Sequence, residues 1–192
     1  GQFHYWFLFL AIKNLITKAY AGGVPMGGEM AAPQQSPAFL VSAAKDPGVP
    51  GHPGLDLQRV QVIKGWLDDS GKTHEKVFDV AGDADNGAGV NPQNCSPTGE
   101  GFKNLCTVWH DPDYNASESA FYYVRVLENP SCRWSTLQCQ AAGVNPFSED
   151  CAAKAQAATE RIDGAIGDAY GRCCLDPAEQ PFYSPVLQER AW

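Results

Sequence analysis

The chain has 192 residues, which is long enough for one domain with a substantial core. It carries 22 acidic residues against 14 basic ones, a formal net charge of −8. Nucleic acids and anionic membrane surfaces are bound by concentrated positive charge, so this balance excludes both as expected partners.

The N-terminal segment, residues 1–18, contains a nearly continuous apolar run over residues 3–12. This run is shorter than the roughly 20 apolar residues of a transmembrane helix, so no membrane span is expected. Residues 19–21 (Ala-Tyr-Ala) have the pattern of a secretory cleavage site, but Lys13 and Lys18 follow the apolar run instead of preceding it. Two interpretations are therefore open, a signal peptide or a segment that packs on a domain outside this chain. The order of the charges favours the second.

Residues 19–192 are predicted to form a β-rich domain, because short runs of β-branched and aromatic residues end at turn signals. The predicted strands are Ala38–Lys45, Leu57–Leu67, His74–Ala81, Leu105–Trp109, Ala120–Leu127 and a final one over Val186–Trp192. An Asp-Ser-Gly turn at residues 69–71 predicts a hairpin between the second and third strands. Strands of this number and length predict an antiparallel immunoglobulin-like sandwich.

Residues 148–170 follow a helical period and predict one helix inserted in this domain. Apolar residues recur there at intervals of three and four, at Cys151, Ala155, Ala158, Ile162, Ile166 and Ala169. Ser148 is a suitable N-cap and Gly171 a suitable end. Gly164 and Gly167 weaken the helix by about 1 kcal/mol each relative to alanine.

Seven cysteines are many for a reduced cytosolic domain of this size. None forms a Cys-x-x-Cys pair, which argues against a zinc knuckle or a thioredoxin-like redox centre. Disulfides that pin loops in a periplasmic or extracellular setting are therefore expected. The odd count leaves at least one thiol over, and the spacing leaves the connectivity open.

Two acidic clusters are candidate metal sites. Asp83 and Asp85 alternate with small residues before a glycine, as in calcium loops, but the spacing is one residue short of the EF-hand pattern. Asp111 and Asp113 form the second cluster, together with His110, since a turn can bring such groups together. His110 and Arg133 are the candidate catalytic residues. The alternative for both clusters, which we favour, is ordinary turn and capping chemistry.

Arg133 is the candidate anion-binding residue, because its planar guanidinium suits a carboxylate or phosphate and Trp134 could shield it from water. The structural alternative pairs Arg133 or Arg125 with a nearby glutamate, with Trp134 and Trp192 filling the end of the core. We favour this alternative.

Five segments resemble, in order, the C-terminal part of a large bacterial family, the domain-of-unknown-function family 3604. They are AYAGGVPMGGE at 19–29, IKGWL at 63–67, THEKVFDV at 73–80, FYYVRVLENPSCRWST at 121–136 and QERAW at 188–192. The resemblance covers roughly residues 15–136 and the last few residues.

Members of that family look like longer chains, whose N-terminal part resembles metal-dependent phosphoesterase or amidohydrolase barrels that open on a His-x-His motif. The four histidines of this chain have no such spacing: His4, His52, His74 and His110. The resemblance therefore implies a β-rich accessory portion that is not catalytic alone and holds no cofactor. Its partner would be the N-terminal catalytic-like domain of the same parent chain, and any divalent metal would belong to that parent.

A different class of function is a self-standing extracytoplasmic binding module for carbohydrate or protein. This hypothesis expects exposed aromatic side chains to form a platform, with the candidates Tyr114, Tyr170, Phe182 and Tyr183. Whether the chain is a truncated fragment or a natural short form is open at the level of sequence.

Overall fold

The computed structural model describes residue 14 and residues 17–164, 167–188 and 190–191. The strands within these ranges are β1 (Ala38–Ala44), β2 (Leu57–Leu67), β3 (Thr73–Gly82), β4 (Gly89–Val90), β5 (Pro97–Thr98), β6 (Asn104–His110), β7 (Ala120–Glu128), β8 (Ser131–Cys132), β9 (Val186–Leu187) and β10 (Arg190–Ala191). The helices are α1 (residues 17–22), α2 (Trp134–Ala141) and α3 (Cys151–Glu160), with 3₁₀ turns at Gly171–Cys174 and Pro181–Tyr183.

The prediction of a mainly β chain with antiparallel sheets is confirmed. A four-stranded sheet has the order β10-β7-β2-β3, and β1-β6, β4-β5 and β8-β9 form two-stranded sheets. The five predicted internal strands all form, with ends within one residue of prediction, and β2 and β3 are neighbours as the hairpin prediction requires. The predicted N-terminal apolar run and Trp192 lie outside the described residues.

The final predicted strand, Val186–Trp192, is divided in two. Val186–Leu187 pairs with Ser131–Cys132, whereas Arg190 and Ala191 pair with the end of β7. The division follows a break on the partner side, where Asn129-Pro130 separates β7 from β8, because proline cannot donate to a strand ladder.

The helical predictions need two corrections. The helix predicted over 148–170 spans only Cys151–Glu160, because Gly164 and Gly167 adopt φ angles of +74° and +85°, which a right-handed helix excludes. Ser148 does not cap it; its hydroxyl donates to the Asn145 carbonyl instead.

Helix α2 is a second difference, because the sequence predicted no helix over Trp134–Ala141. Its sequence lacks a continuous apolar stripe, so its periodicity is weak. Tertiary contacts hold it instead, since the buried Thr136 hydroxyl donates to the Pro185 carbonyl at 2.8 Å and Cys139 is disulfide-bonded. None of the described helices has the length and apolar character needed to cross a membrane.

The chain divides into two compact units. Unit 1 comprises Gly1–Ser42, Val62–Phe78 and Cys106–Val124, and unit 2 comprises Ala43–Gln61, Asp79–Leu105 and Arg125–Trp192.

Unit 1 is held by a layer of aromatic rings. Phe39 of β1 lies 4.6 Å from the Tyr122 ring and 5.7 Å from the Trp109 ring, measured between ring centres. Phe78 of β3 lies 5.0 Å from Trp109. The rings join β1 and β6 to β3 and β7, so they pack one sheet against another.

Unit 2 contains a cluster of small buried residues in its helical part: Cys139, Val144, Cys151, Ala155 and Ala158. The disulfides Cys139–Cys173 and Cys151–Cys174 tie α2 and α3 to one 3₁₀ turn, and Cys95–Cys132 joins the loop between β4 and β5 to β8. The expectation of disulfides with a leftover thiol is confirmed, and that thiol is the exposed Cys106 of unit 1.

Candidate functional site

A buried ion pair lies at the turn that follows β6. Asp111 begins this turn, and Lys64 comes from β2. Their side chains are 0% and 2% exposed, and the Lys64 Nζ atom lies 2.8 Å from Oδ2 of Asp111. The carboxylate also accepts hydrogen bonds from the Tyr122 hydroxyl, 2.7 Å from Oδ2, and from the Asp113 amide, 2.8 Å from Oδ1. Both carboxylate oxygens are therefore hydrogen-bonded.

Asp113 closes the same turn and contacts both lysines of the site. Its backbone carbonyl accepts a hydrogen bond from Lys64 Nζ at 2.8 Å, and its carboxylate pairs with Lys76 of β3. That second pair is about half exposed, at 49% for the aspartate and 50% for the lysine. The turn thus holds two lysine–aspartate pairs, one enclosed and one in contact with solvent.

Aromatic rings lie beside the buried pair. The Lys64 Nζ atom is 5.1 Å from the centre of the Trp66 ring and 6.0 Å from that of Tyr122. A cation near an aromatic face is attracted by the ring quadrupole, most strongly where water is excluded. The rings therefore favour the lysine where it lies.

The electrostatics of the site follow from burial and hydrogen bonding. Burial acts to raise the pKa of Asp111, but hydrogen bonds from Lys64, Tyr122 and the Asp113 amide outweigh it, and the pKa lies below its ordinary value. Burial, together with the Asp111 carboxylate, raises the pKa of Tyr122. Tyr122 therefore stays protonated and donates to Asp111.

His110 does not join Asp111 and Asp113. It is exposed, and its Nδ1 atom lies 3.4 Å from the Ser36 carbonyl oxygen. The groups that neutralise the two carboxylates are Lys64 and Lys76. Across the described ranges, no three His, Cys, Asp or Glu side chains are grouped so as to hold a metal ion.

Lys64 and Tyr122 were not singled out from the sequence, although a signal was present. Lys64 shares its strand face with Val60, Val62 and Trp66, which are apolar. A lysine on an apolar strand face is buried only when it is paired, so its position indicates a buried partner. The partner itself lies 47 residues away and has no local signal.

Asp83 and Asp85 lie in a tight turn, where the Asp83 carboxylate accepts a hydrogen bond from the Asp85 amide at 2.9 Å. The adjacent Asn86 is the more connected residue. Its amide donates to Asn129 Oδ1 at 2.9 Å and to the Glu100 carbonyl at 3.0 Å. The turn chemistry favoured by the sequence is therefore present, with Asn86 linking it to the end of β7.

Arg133 contacts backbone. Its Nε donates to the Ser184 carbonyl at 2.9 Å, and its amide donates to the Pro185 carbonyl at 2.9 Å. Trp134 is 68% exposed, so the expectation that it fills the end of the core is wrong. The reason is that residue 134 begins α2 and projects from its first turn.

The four aromatic candidates have different surroundings. Tyr114 of unit 1 is partly buried and donates its hydroxyl to the Pro33 carbonyl at 2.7 Å. In unit 2, Tyr170 packs on the helical core, Arg172 lies 5.6 Å from the Tyr183 ring, and Phe182 is 83% exposed. Two further rings, those of Phe121 and Tyr123 in unit 1, were not predicted as part of a platform.

Phe121 is 61% exposed, and its ring is nearly parallel to that of Tyr123, with an angle of 12° and 6.2 Å between centres. The two residues are two positions apart on β7, which places both on one face of the sheet. The sequence signal for this pair was the strand alternation of Phe-Tyr-Tyr at residues 121–123. It places the middle residue, Tyr122, on the opposite face of the sheet from Phe121 and Tyr123.

Comparisons with curated proteins and with solved structures find no match. Residues 9–162 match the family described as "Protein of unknown function (DUF3604)", and this range includes all of unit 1 that follows residue 8, together with α2 and α3. The match extends beyond residues 15–136, where the resemblance is visible in the motifs, and covers well over half of the chain. The chain therefore belongs to the DUF3604 family.

Proposed function

We propose that this chain is a β-rich structural portion of a larger, metal-dependent hydrolase-like protein and is not catalytic alone. The proposal rests on the burial and complete hydrogen bonding of the Asp111 carboxylate. A catalytic carboxylate needs access to a substrate, whereas the Asp111 side chain is 0% exposed and hydrogen-bonded on both oxygens. Its role in this proposal is to fix the β6 turn on β2.

The proposed architecture is an immunoglobulin-like sandwich. The aromatic layer of unit 1 supports it, because Phe39 and Trp109 of the β1-β6 sheet pack on Phe78 and Tyr122 of the four-stranded sheet. Inward rings from two facing sheets are the usual core of a sandwich. The partner in this proposal is the N-terminal catalytic-like domain of the parent chain, which would hold the divalent metal.

The proposed location is periplasmic or extracellular. Three disulfides support it, since disulfides persist in oxidising compartments and are rare in the cytosol.

Two measurements test the proposal. In the first, the purified chain is incubated with Zn²⁺ or Mn²⁺ and assayed for hydrolysis of a phosphomonoester and of an amide. The molar ratio of bound metal to protein is measured in the same samples. We expect neither stoichiometric metal nor turnover, and finding both together would overturn the proposal. The coding DNA upstream of this chain is also read, and a continuous frame that encodes a His-x-His motif is the expected result.

A self-standing binding module is the second candidate, and the exposed Phe121 ring, with the partly buried Tyr123 ring beside it, favours it. Flat, parallel rings on a sheet face suit the apolar face of a sugar ring. Affinity electrophoresis in gels that contain soluble polysaccharides would detect such binding. Retention that Phe121→Ala abolishes and Phe182→Ala preserves would favour this candidate; equal mobility of all three proteins in every gel would reject it for carbohydrates.

A further inference from the structure

The Lys64–Asp111 pair brings an amine and a carboxyl group into contact where both side chains are buried. Their side chains are 2% and 0% exposed, and the nitrogen lies 2.8 Å from a carboxylate oxygen. The geometry points to a covalent product: we propose that Lys64 and Asp111 condense to an intramolecular amide, an isopeptide bond between Nζ of Lys64 and Cγ of Asp111.

Each reacting group is held by a further contact. The Asp113 carbonyl accepts a hydrogen bond from Lys64 Nζ, and the Asp113 amide donates to Oδ1 of Asp111, both at 2.8 Å. The Tyr122 hydroxyl donates to Oδ2 at 2.7 Å. Groups held in contact in this way react with effective concentrations of about 10⁵–10⁸ M.

The reactive protonation state is reached inside the site. Condensation requires a neutral amine and a neutral acid. Hydrogen bonds keep Asp111 ionised at rest, but burial penalises the charged form of both groups and so lowers the free-energy cost of the neutral pair. The neutral pair is reached from the ion pair by moving one proton from Nζ to Oδ2, across the 2.8 Å contact. No proton has to enter from solvent.

The bonds and protons balance within the site. The neutral Nζ attacks Cγ, and the Asp113 amide stabilises the negative charge that develops on Oδ1. The Cγ–Oδ2 bond then breaks. Oδ2 already holds one proton from Lys64 and takes a second from the Tyr122 hydroxyl, so that it leaves as water. The Tyr122 oxygen then regains a proton from Nζ, which becomes the amide nitrogen. The product is a neutral amide, and no oxidant, reductant or other reactant is consumed.

The bond would supply unit 1 with a covalent link that its cysteines cannot. Cys106 is the one cysteine in the sequence of unit 1, whereas all three disulfides lie in unit 2. An amide from β2 to the turn after β6 would close a loop of 47 residues and, unlike a disulfide, would resist reduction. Lys76 and Asp113 form a matched pair that should stay ionic, because both are about half exposed.

The intact mass of the purified protein, denatured and fully reduced, tests the proposal. We expect a mass lower than the sequence mass by one water molecule. After trypsin digestion, residues 60–72 should be joined to residues 104–125, because an acylated Lys64 is no longer a cleavage site. The full sequence mass in folded wild-type protein would overturn the proposal, as would a water loss that maps to another residue.

Variants separate this reaction from other dehydrations. Lys64→Arg should show the full sequence mass, whereas Lys76→Arg should keep the loss of water. Asp111→Asn should give the same cross-linked product as the wild type by releasing ammonia instead of water. Tyr122→Phe, followed by mass after refolding, should form the bond about 10²-fold more slowly, since general acid catalysis typically contributes at least that much.

Discussion

At the scale of single residues, the burial of Lys64 is the least ordinary feature of unit 1. A buried charge is stable only where its partner and its hydrogen bonds are complete. Lys64 meets this condition through Asp111, the Asp113 carbonyl and the neighbouring Trp66 ring. Removing one member of such a pair leaves the other charge buried without compensation.

Lys64→Met should therefore lower the free energy of unfolding by about 3–5 kcal/mol, and loss of a Lys64–Asp111 amide would add to this value. Lys76→Met is the matched control, since its pair is half exposed and should contribute at most about 1 kcal/mol. Urea unfolding of both variants measures the difference. Equal effects would show that burial of the Lys64 pair has no special importance for stability.

A second residue-scale prediction concerns pH. Hydrogen bonds from His74, then from Ser70 and the Lys72 amide, hold the pKa of Asp68 well below its ordinary value of about 3.9. A depressed pKa contributes stability above the unfolded-state value, and this contribution is lost as the pH falls below it. Asp68→Asn should therefore flatten the loss of stability below about pH 4. Asp69→Asn controls for removal of a charge, and identical pH slopes for both variants would contradict the prediction.

At the scale of elements, β2 and β7 meet through a glycine and an aromatic ring. Gly65 lies under the tip of the Phe121 ring, where a β-carbon would overlap the ring atoms. Glycine thus provides the space for the ring on the outer face of the sheet, although it weakens strands elsewhere. The identity of residue 65 is set by residue 121 of the neighbouring strand.

Gly65→Ala should destabilise the protein by about 1–3 kcal/mol, the usual cost of overpacking. In a Phe121→Ala background the same change should cost much less, because the overlapping ring is absent. A double-mutant cycle measured by thermal unfolding gives this coupling. Additive effects of the two changes would mean that the ring moves away freely.

At the scale of the whole molecule, the two units are stabilised by different means. Unit 1 uses aromatic rings and buried charge, whereas the helical part of unit 2 has a small core that includes disulfide cysteines. In the chain-entropy account, a disulfide that closes a loop of 20–40 residues contributes about 3–4 kcal/mol. The small side chains of this helical cluster offer little apolar area in its place.

Reduction of the disulfides should therefore loosen unit 2 selectively. We expect hydrogen exchange to accelerate at residues 134–141 and 151–160 and to change little at residues 62–66. The measurement is exchange mass spectrometry with and without a reductant, in a Cys106→Ser background that excludes effects of the free thiol. Equal acceleration in β2 would contradict the proposed difference between the units.

The strands could be predicted from the sequence because their signals are local. Alternating side chains and turn residues specify β1, β2, β3, β6 and β7 to within one residue, and an odd number of cysteines requires a leftover thiol. The excess of negative charge also follows from composition alone. Such properties depend on neighbouring residues or on simple counts, so they need no knowledge of the fold.

The remaining features were decided by the tertiary structure, because each depends on residues that are distant in sequence. Helix α2 forms without a strong apolar period because Cys139 and Thr136 are held by residues 34 and 49 positions away. The disulfide partners and the pairing of Lys64 with Asp111 arise in the same way. Spacing along the chain carries no information about such contacts, which exist only once the strands and helices have packed.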